Sequence, residues 1–269
     1  MLFCYNAYEY GRCVHGKIEE VTLPVGRVDI IISEWMGYCL LYEAMLDSVL
    51  WARDHYLVPG GLLVPSHTTL RIAPLTDVDF IADRYLFWRD VYGFNMRAMT
   101  YDFYTDVVIR NTHRSHLSAD SQPFLHLPLL HTPKEDLTFT DAPFAFVIKE
   151  DVDSLEGFVI WFDTFFLPSP NDVLPRHARA DNWTNKRGVG IAFTTGPDGE
   201  PTHWEQGNLL INYGDEYGKG EPHALKKGTV ISGGISYQKR LVNTRELEIE
   251  LKWRISGVDK EYKQLWLMR

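Results

Sequence analysis

The sequence predicts an α+β protein made of two unlike parts. Up to about residue 66, strand, loop, helix and strand alternate, which is typical of the last units of a doubly wound sheet. From residue 67 onward, many short β-rich runs are separated by Gly, Pro and Asn, which favours a sandwich or a barrel. The chain is 45% hydrophobic and 23% charged, as expected for a globular protein.

The first part contributes few elements. Residues 1–15 are aromatic without a clear period and carry no prediction. Residues 18–21 read as a short strand, and the apolar run 28–32 reads as a buried parallel strand. A loop with two carboxylates, Glu34 and Glu43, follows this second strand.

A helix and a further strand complete the first part. Residues 44–57 predict an amphipathic helix that ends at Pro59-Gly60-Gly61, and 62–64 form a strand closed by Pro65. The predicted apolar face of the helix consists of Met45, Val49, Ala52 and Tyr56.

The second part opens with a strand over 68–74 and a helix over 77–92. A polar, proline-containing segment, 168–187, predicts a surface loop. The remaining β-rich runs are 107–109, 144–149, 157–166, 190–194, 208–212, 228–237 and 247–255.

Composition limits the partners and the compartment. The formal net charge of −9 disfavours nucleic acid as a direct ligand and suits basic protein partners. The longest apolar stretch, 157–167, is too short to cross a membrane, and no N-terminal signal is evident. Cys4, Cys13 and Cys39 form no metal or disulfide pattern, so an intracellular location, cytoplasmic and/or nuclear, is expected.

The two carboxylates suggest a receptor for a cation. Ligands of open α/β sheets bind outside the carboxyl ends of the strands, where Glu34 and Glu43 are expected to lie. A planar guanidinium offers five donors, and two carboxylates can hold it from two sides. The alternative is structural: Glu34 caps the following segment, and Glu43 lies in the first turn of the helix.

Three motifs give the chain a family resemblance. Residues 33–38 read Ser-Glu-Trp-Met-Gly-Tyr and lead to Glu43; residues 202–204 read Thr-His-Trp; residues 16–20 read Gly-Lys-Ile-Glu-Glu. Together they resemble the protein arginine methyltransferases, from about residue 16 to the C-terminus. The Thr-His-Trp form, with methionine at Met36, resembles the type I branch that makes asymmetric dimethylarginine. The surrounding sequence is similar to the zinc-finger-bearing member, without the finger.

The resemblance implies a fold and a reaction. Residues 1–66 would form the C-terminal portion of a Rossmann-like domain that binds S-adenosylmethionine. Residues 67–269 would form a β-barrel that binds substrate, with a helical dimerisation arm at about 80–112. The family transfers a methyl group from S-adenosylmethionine to arginine side chains, so arginine-rich proteins and a second copy of the chain are the expected partners.

The resemblance also assigns roles to residues. Glu34 and Glu43 would hold the guanidinium, and His203 would accept a proton. Each remaining assignment has a structural alternative: an exposed acid for Glu19, core packing for the methionines and Trp204, and a solvated or structural ring for His203. The resemblance implies cofactor contacts for Ile18, Glu19 and Met45, and substrate contacts for Met36 and Trp204, without a metal.

One family feature is missing from the sequence. The family begins its cofactor domain with a strand and a glycine-rich turn, whereas the Gly-x-Gly at 188–190 lacks a third glycine and continues into a predicted strand. Weak or absent cofactor binding is therefore expected for this chain alone. Two interpretations remain open: a non-catalytic barrel module that dimerises and binds arginine-rich proteins, and a truncated form of a longer methyltransferase.

Overall fold

The computed structural model describes residues 2–7, 10–100, 102–212 and 224–269. The chain begins with an antiparallel hairpin of β1 (Leu2–Ala7) and β2 (Tyr10–His15), for which the sequence carried no prediction. The strand predicted over 18–21 is wrong. The backbone N–H groups of Glu20 and Val21 both donate to the carbonyl oxygen of Lys17, at 3.0 Å each, and these bonds close a turn.

A strand–helix–strand unit follows. Strand β3 (Val28–Ile32) pairs in parallel with β4 (Leu57–Val64), and helix α1 (Met45–Tyr56) connects them. The parallel strand is confirmed, but its predicted burial is wrong: Ile30 and Ile32 are 52% and 77% exposed. Among the described residues, β3 has only β4 as a neighbour, so one edge and much of its surface face solvent.

The predicted helix is confirmed, with a different end and a shifted apolar face. It ends at Tyr56, and Pro59, Gly60 and Gly61 lie inside β4, where the pairing with β3 shifts register. The buried side chains of α1 are Leu46, Val49, Leu50 and Ala52.

The rest of the chain is dominated by two antiparallel sheets. The larger sheet has the order β6-β11-β9-β5-β7, with β10 also pairing with β9, and the smaller has the order β14-β13-β12-β8. Two of these strands, β7 and β14, were missed in the sequence. The strands are β5 (His67–Leu75), β6 (Val108–Arg110), β7 (Gln122–Pro128), β8 (Phe139–Val147), β9 (Gly157–Phe166), β10 (Ile191–Thr194), β11 (Gln206–Leu210), β12 (Val230–Lys239), β13 (Leu247–Ile255) and β14 (Glu261–Met268).

The two sheets enclose one core but do not form a closed barrel. On one side, the backbone joins them: Val107 N–H donates to Leu267 at 2.9 Å, and Leu267 N–H donates to Thr105 at 2.8 Å. On the other side, no ladder pairs β7 with β8 in the described residues; Phe124 and Phe139 meet there through their rings, 6.2 Å apart. The α+β class is confirmed, and the barrel is open along this seam.

Residues 78–106, which connect β5 to β6, are called the arm below. It contains α2 (Val78–Arg84), capped by the Asp77 side chain, and two short 3-10 turns (Leu86–Arg89 and Arg97–Thr100). The helix predicted over 77–92 therefore stops early, and residues 108–110 of the predicted arm belong to the sheet. Several large apolar side chains of the arm are exposed: Leu86, Phe87, Tyr92, Phe94, Met96 and Met99.

The segment 168–187 has no helix or strand, as predicted, but it packs over a cavity of about 470 Å³ beside the start of β5. His67, His126, His131 and Asp172 line this cavity. Burial, followed by the charges of His126 and His131, lowers the pKa of His67 to about 4, although Asp172 opposes the shift. His67 is therefore neutral in the folded chain at neutral pH.

The depressed pKa of His67 predicts a loss of stability in acid. An unfolded histidine takes up a proton near pH 6.5, whereas folded His67 does so only near pH 4. The free energy of unfolding should thus fall as the pH falls from about 6.5 to about 4, by about 1–2 kcal/mol because the ring is partly solvated. Denaturant titrations at each pH should show a flatter profile for His67→Gln than for the exposed-site control His177→Gln. Equal slopes for both variants would contradict this assignment.

Candidate functional site

Residues 33–44, which follow β3, are called the acid loop below. Four of its residues other than glycine have a positive φ: Cys39 at 48°, Leu40 at 69°, Glu43 at 74° and Ala44 at 56°. Such left-handed conformations are costly for residues with a Cβ, and they accumulate at functional sites where the surroundings enforce them. The loop is therefore a strained element held in one shape.

Packing of the acid loop against the main core enforces that shape. Trp35 and Leu40 are each only 1% exposed and anchor the loop in the main core. At Gly37, a Cβ would lie 2.1 Å from the carbonyl oxygen of Tyr42, so the chain crosses itself too closely for any side chain. These contacts leave the two acids at the surface of a rigid loop.

The two acids have different surroundings. Glu34 is exposed and has no hydrogen-bond or ion-pair partner within the described residues. The Glu43 side chain is 38% exposed, and its Oε1 accepts a hydrogen bond from Nη2 of Arg245 at 2.7 Å. The backbone N–H of Glu43 also donates to the carbonyl oxygen of Arg245 at 2.7 Å. The sequence carried no signal for Arg245, because it lies 202 positions further along the chain.

The Thr-His-Trp motif meets the acid loop. Nε1 of Trp204 donates to the carbonyl oxygen of Met36 at 2.8 Å, across 168 positions of sequence. The Trp204 ring stacks on Phe193 at 5.7 Å and meets Phe162 edge-on at 5.6 Å, so it is fixed by the larger sheet. His203 is exposed, with its ring centroid 3.9 Å from that of Trp204.

Two of the residues assigned to the cofactor, Ile18 and Glu19, lie in the turn before β3, and the third, Met45, begins α1. Glu19 is exposed and accepts a hydrogen bond from the Ser48 hydroxyl at 2.6 Å, whereas Ile18 is only 2% exposed. Met36 is buried, and Met45 is half-buried against the same core. The described contacts thus join Met36 to Trp204 and Glu19 to α1, and they do not join Ile18 or Glu19 to the acid loop.

A cysteine–tyrosine contact lies beneath the acid loop. Burial raises the pKa of the Cys39 thiol to about 12, and the neighbouring Tyr237 hydroxyl opposes the shift. A Cβ on Gly207 would lie 2.3 Å from the Cys39 sulfur, so the glycine lets β11 approach the loop. Cys39 is therefore a packing residue and not a nucleophile.

The described part of the chain contains neither a candidate metal site nor a helix that could span a membrane. In residues 2–7, 10–100, 102–212 and 224–269, no three or more His, Cys, Asp or Glu side chains are grouped so that they could hold a metal ion. Over the same ranges, no helix is long and apolar enough to cross a membrane.

Comparison with known proteins gives the family. The sequence profile described as "Arginine methyltransferase oligomerization subdomain" matches residues 66–258. The chain therefore belongs to the protein arginine N-methyltransferase family and contains its oligomerization subdomain. Similar relatives include the ribosomal protein arginine N-methyltransferase rmt3 of Schizosaccharomyces pombe, 38% identical over 94% of this chain and 44% of that protein. Another is protein arginine N-methyltransferase 1 of the same yeast, 35% identical over 89% of this chain and 62% of that protein.

Solved structures support the fold. The Trypanosoma brucei PRMT1 enzyme–prozyme heterotetrameric complex with AdoHcy matches with a TM-score of 0.78 and 27% identity, over 95% of this chain and 73% of that one. Arabidopsis thaliana protein arginine methyltransferase 10 matches with a TM-score of 0.71 at 24% identity, over 95% of this chain and 74% of that one, which concerns the fold alone. The chain spans 44% and 62% of the length of the two yeast relatives.

Proposed function

We propose that this chain acts in protein arginine methylation as a type I enzyme, which transfers methyl groups from S-adenosylmethionine to arginine and makes asymmetric dimethylarginine. The observation that carries the proposal is the bond from Trp204 to the Met36 carbonyl. It joins the Thr-His-Trp motif to the strained loop bearing Glu34 and Glu43. Family membership and the names of the relatives support the same reaction class.

The proposed chemistry uses the charge of the two acids. A guanidinium is protonated at neutral pH and has no free lone pair, because its pKa lies far above 7. Carboxylates that hold the positive charge toward one end of the group leave the opposite terminal nitrogen more nucleophilic. Glu34 and Glu43 have this role in the proposal, and His203, exposed beside Trp204, accepts the proton released on transfer.

S-adenosylmethionine fits these residues only in part. The exposed carboxylate of Glu19 is able to accept a hydrogen bond from the adenine amino group, and Met45 lies half-buried near the acid loop. Ile18 is too deeply buried to offer much surface to a ligand. The cofactor supplies an activated methyl group, so the task of this chain is to hold and orient the acceptor arginine. A relative in the trypanosome complex was solved with AdoHcy, which supports this cofactor class.

A fusion tests the reaction. This chain would be joined to the portion of the yeast rmt3 relative that lies outside the matched 44%, and incubated with S-adenosylmethionine and a glycine–arginine-rich peptide. Mass spectrometry should detect asymmetric dimethylarginine. Symmetric product would contradict the type I assignment, and an unmodified peptide with a folded fusion would contradict the reaction.

A second candidate is a non-catalytic module that dimerises and binds arginine-rich proteins. The match of residues 66–258 to the oligomerization subdomain favours it. In this case, the fusion would bind the peptide without modifying it. Both candidates share a proposed division at residue 66, between a cofactor-side portion and a substrate-binding portion, and a cytoplasmic and/or nuclear location.

Self-association through the arm is the next prediction. Phe87, Phe94 and Met99 are 52%, 70% and 61% exposed, and apolar patches of this kind mark contact surfaces. We expect a homodimer in sedimentation experiments at tens of micromolar, because a second copy can cover the arm. Replacing these three residues with serine should shift the chain to monomer. The control Val173→Ser, at an 87% exposed site outside the arm, should not; a monomeric parent chain would refute the role of the arm.

A further inference from the structure

The acid loop already holds a guanidinium in this structure, that of Arg245. Its Nη2 lies 2.7 Å from Oε1 of Glu43, within the range of a charge-assisted hydrogen bond. The group is chemically the same as the side chain that the proposed function brings to Glu43. Arg245 is therefore already paired with Glu43, one of the two acids that a substrate arginine would need.

Arg245 belongs to a turn that is firmly placed. Residues 240–246, called the hairpin turn below, connect β12 to β13. Within the turn, Nδ2 of Asn243 donates to Glu246 at 2.9 Å, and Arg240 pairs with the same carboxylate. Lys239, at the end of β12, forms an ion pair of 2.7 Å with Asp47 in the first turn of α1.

The backbone and the side chain of Arg245 are held differently. The Arg245 carbonyl accepts the Glu43 N–H at 2.7 Å, so the backbone stays beside the acid loop whatever the side chain does. The side chain is 64% exposed, and the ion pair with Glu43 is its only partner in the described contacts. An exposed pair of this kind is weak, about 0.2–1 kcal/mol. The guanidinium can therefore leave Glu43 while the hairpin turn remains in place.

We propose that Arg245 is a resident guanidinium of the acid loop and that an incoming arginine competes with it for Glu43. The inference rests on the proposed function. Glu34, which has no partner in the described contacts, is the open acid and binds the incoming group first. Glu43 then exchanges Arg245 for the substrate. Arg245 thus sets the affinity of the site for arginine and acts as a specificity-determining residue.

The test is a binding measurement on the 269-residue chain. Calorimetry would compare a glycine-rich peptide with one arginine to the same peptide with citrulline, which keeps the shape and loses the charge. Arg245→Gln should bind the arginine peptide about twofold to fivefold more tightly than the parent chain, which corresponds to the strength of an exposed pair. The gain should shrink at high salt, because exposed charges are screened.

Two comparisons separate local competition from a general change of charge. Arg254→Gln removes the same charge from a somewhat more exposed pair with Glu261, at the far end of β13 and at least about 20 Å away, and should leave the affinity unchanged. In a Glu43→Gln background, Arg245→Gln should have no further effect. When the parent chain prefers arginine to citrulline, an Arg245→Gln variant that binds no more tightly than the parent, or an equal gain in Arg254→Gln, would overturn the proposal.

The proposed function and this inference fail in different ways. If the parent chain does not prefer arginine to citrulline but Arg245→Gln does, the resident guanidinium blocks the site and the inference is supported. If neither chain shows a preference, the proposed binding role fails. The Arg245–Glu43 ion pair is then tested separately, by ¹⁵N NMR of the Arg245 guanidinium. Hindered rotation of the Arg245 guanidinium that is released by Glu43→Gln supports it, and free rotation in the parent chain overturns it.

Discussion

Glu34→Gln and Glu43→Gln should each lower the turnover of the methyltransferase fusion by about two to three decades. The substitution keeps the shape of the side chain but removes the charge and presents a partial donor to the guanidinium. The strained backbone at Glu43, with a φ of 74°, is unlike that of an ordinary surface acid and is consistent with a fixed position. The measurement is the single-turnover rate with saturating peptide and cofactor.

Two controls accompany these variants. Glu261→Gln removes an equivalent exposed charge, one that pairs with Arg254 away from the acid loop, and should retain the parent rate. Thermal unfolding of each variant should match the parent, since Glu34 is exposed and the Glu43–Arg245 pair is a surface pair. Near-normal turnover of either acid-loop variant would show that its glutamate only shapes the loop.

The isolated 269-residue chain should bind S-adenosylmethionine weakly or not at all. Its sequence offers Glu19 on the adenine side and no glycine-rich turn for the rest of the ligand. Each missing hydrogen bond to a charged ligand is worth about 1.5–3 kcal/mol, and several would remove most of the roughly 8 kcal/mol of a micromolar affinity. Calorimetry on the purified chain, with the fusion as the positive control, measures this directly.

Low-micromolar binding by the isolated chain would contradict this prediction. In that case, Glu19→Gln distinguishes two sources of the affinity. A large loss would place the cofactor beside α1, where Ser48 already donates to Glu19. Unchanged binding would place it elsewhere in the chain and would remove Glu19 from the proposed site.

The motifs of the site were readable from the sequence because each is a short run of residues with its own chemistry. The sequence placed two acids after a strand, in a loop before a helix, and the structure has β3, the acid loop and α1 in that order. Most β-rich runs of the second part became strands for the same local reason. β7 was missed because Pro123 and Pro128 interrupt its pattern, which normally argues against a strand interior.

Local patterns failed wherever burial depended on neighbours. The run 28–32 is apolar enough for a strand buried on both faces, but exposure is decided by what packs on it, and the described residues give β3 one partner. In contrast, β5 is buried along nearly its whole length because β7 and β9 flank it. For this reason, the apolar pattern of a segment predicted that it forms a strand better than it predicted how deeply the strand is buried.

The sequence by itself determined the class of the fold, the strand–helix–strand unit, and the residue types available for the chemistry. These depend on periodicity and on short motifs, which are properties of neighbouring residues. Only the tertiary structure decided that Trp204 donates a hydrogen bond to the carbonyl of Met36, that the barrel is open between β7 and β8, and that Arg245 forms an ion pair with Glu43. Each of these is a contact between residues far apart in the chain or a gap between two sheet edges. Such features follow from how whole elements pack, which no local pattern of side chains encodes.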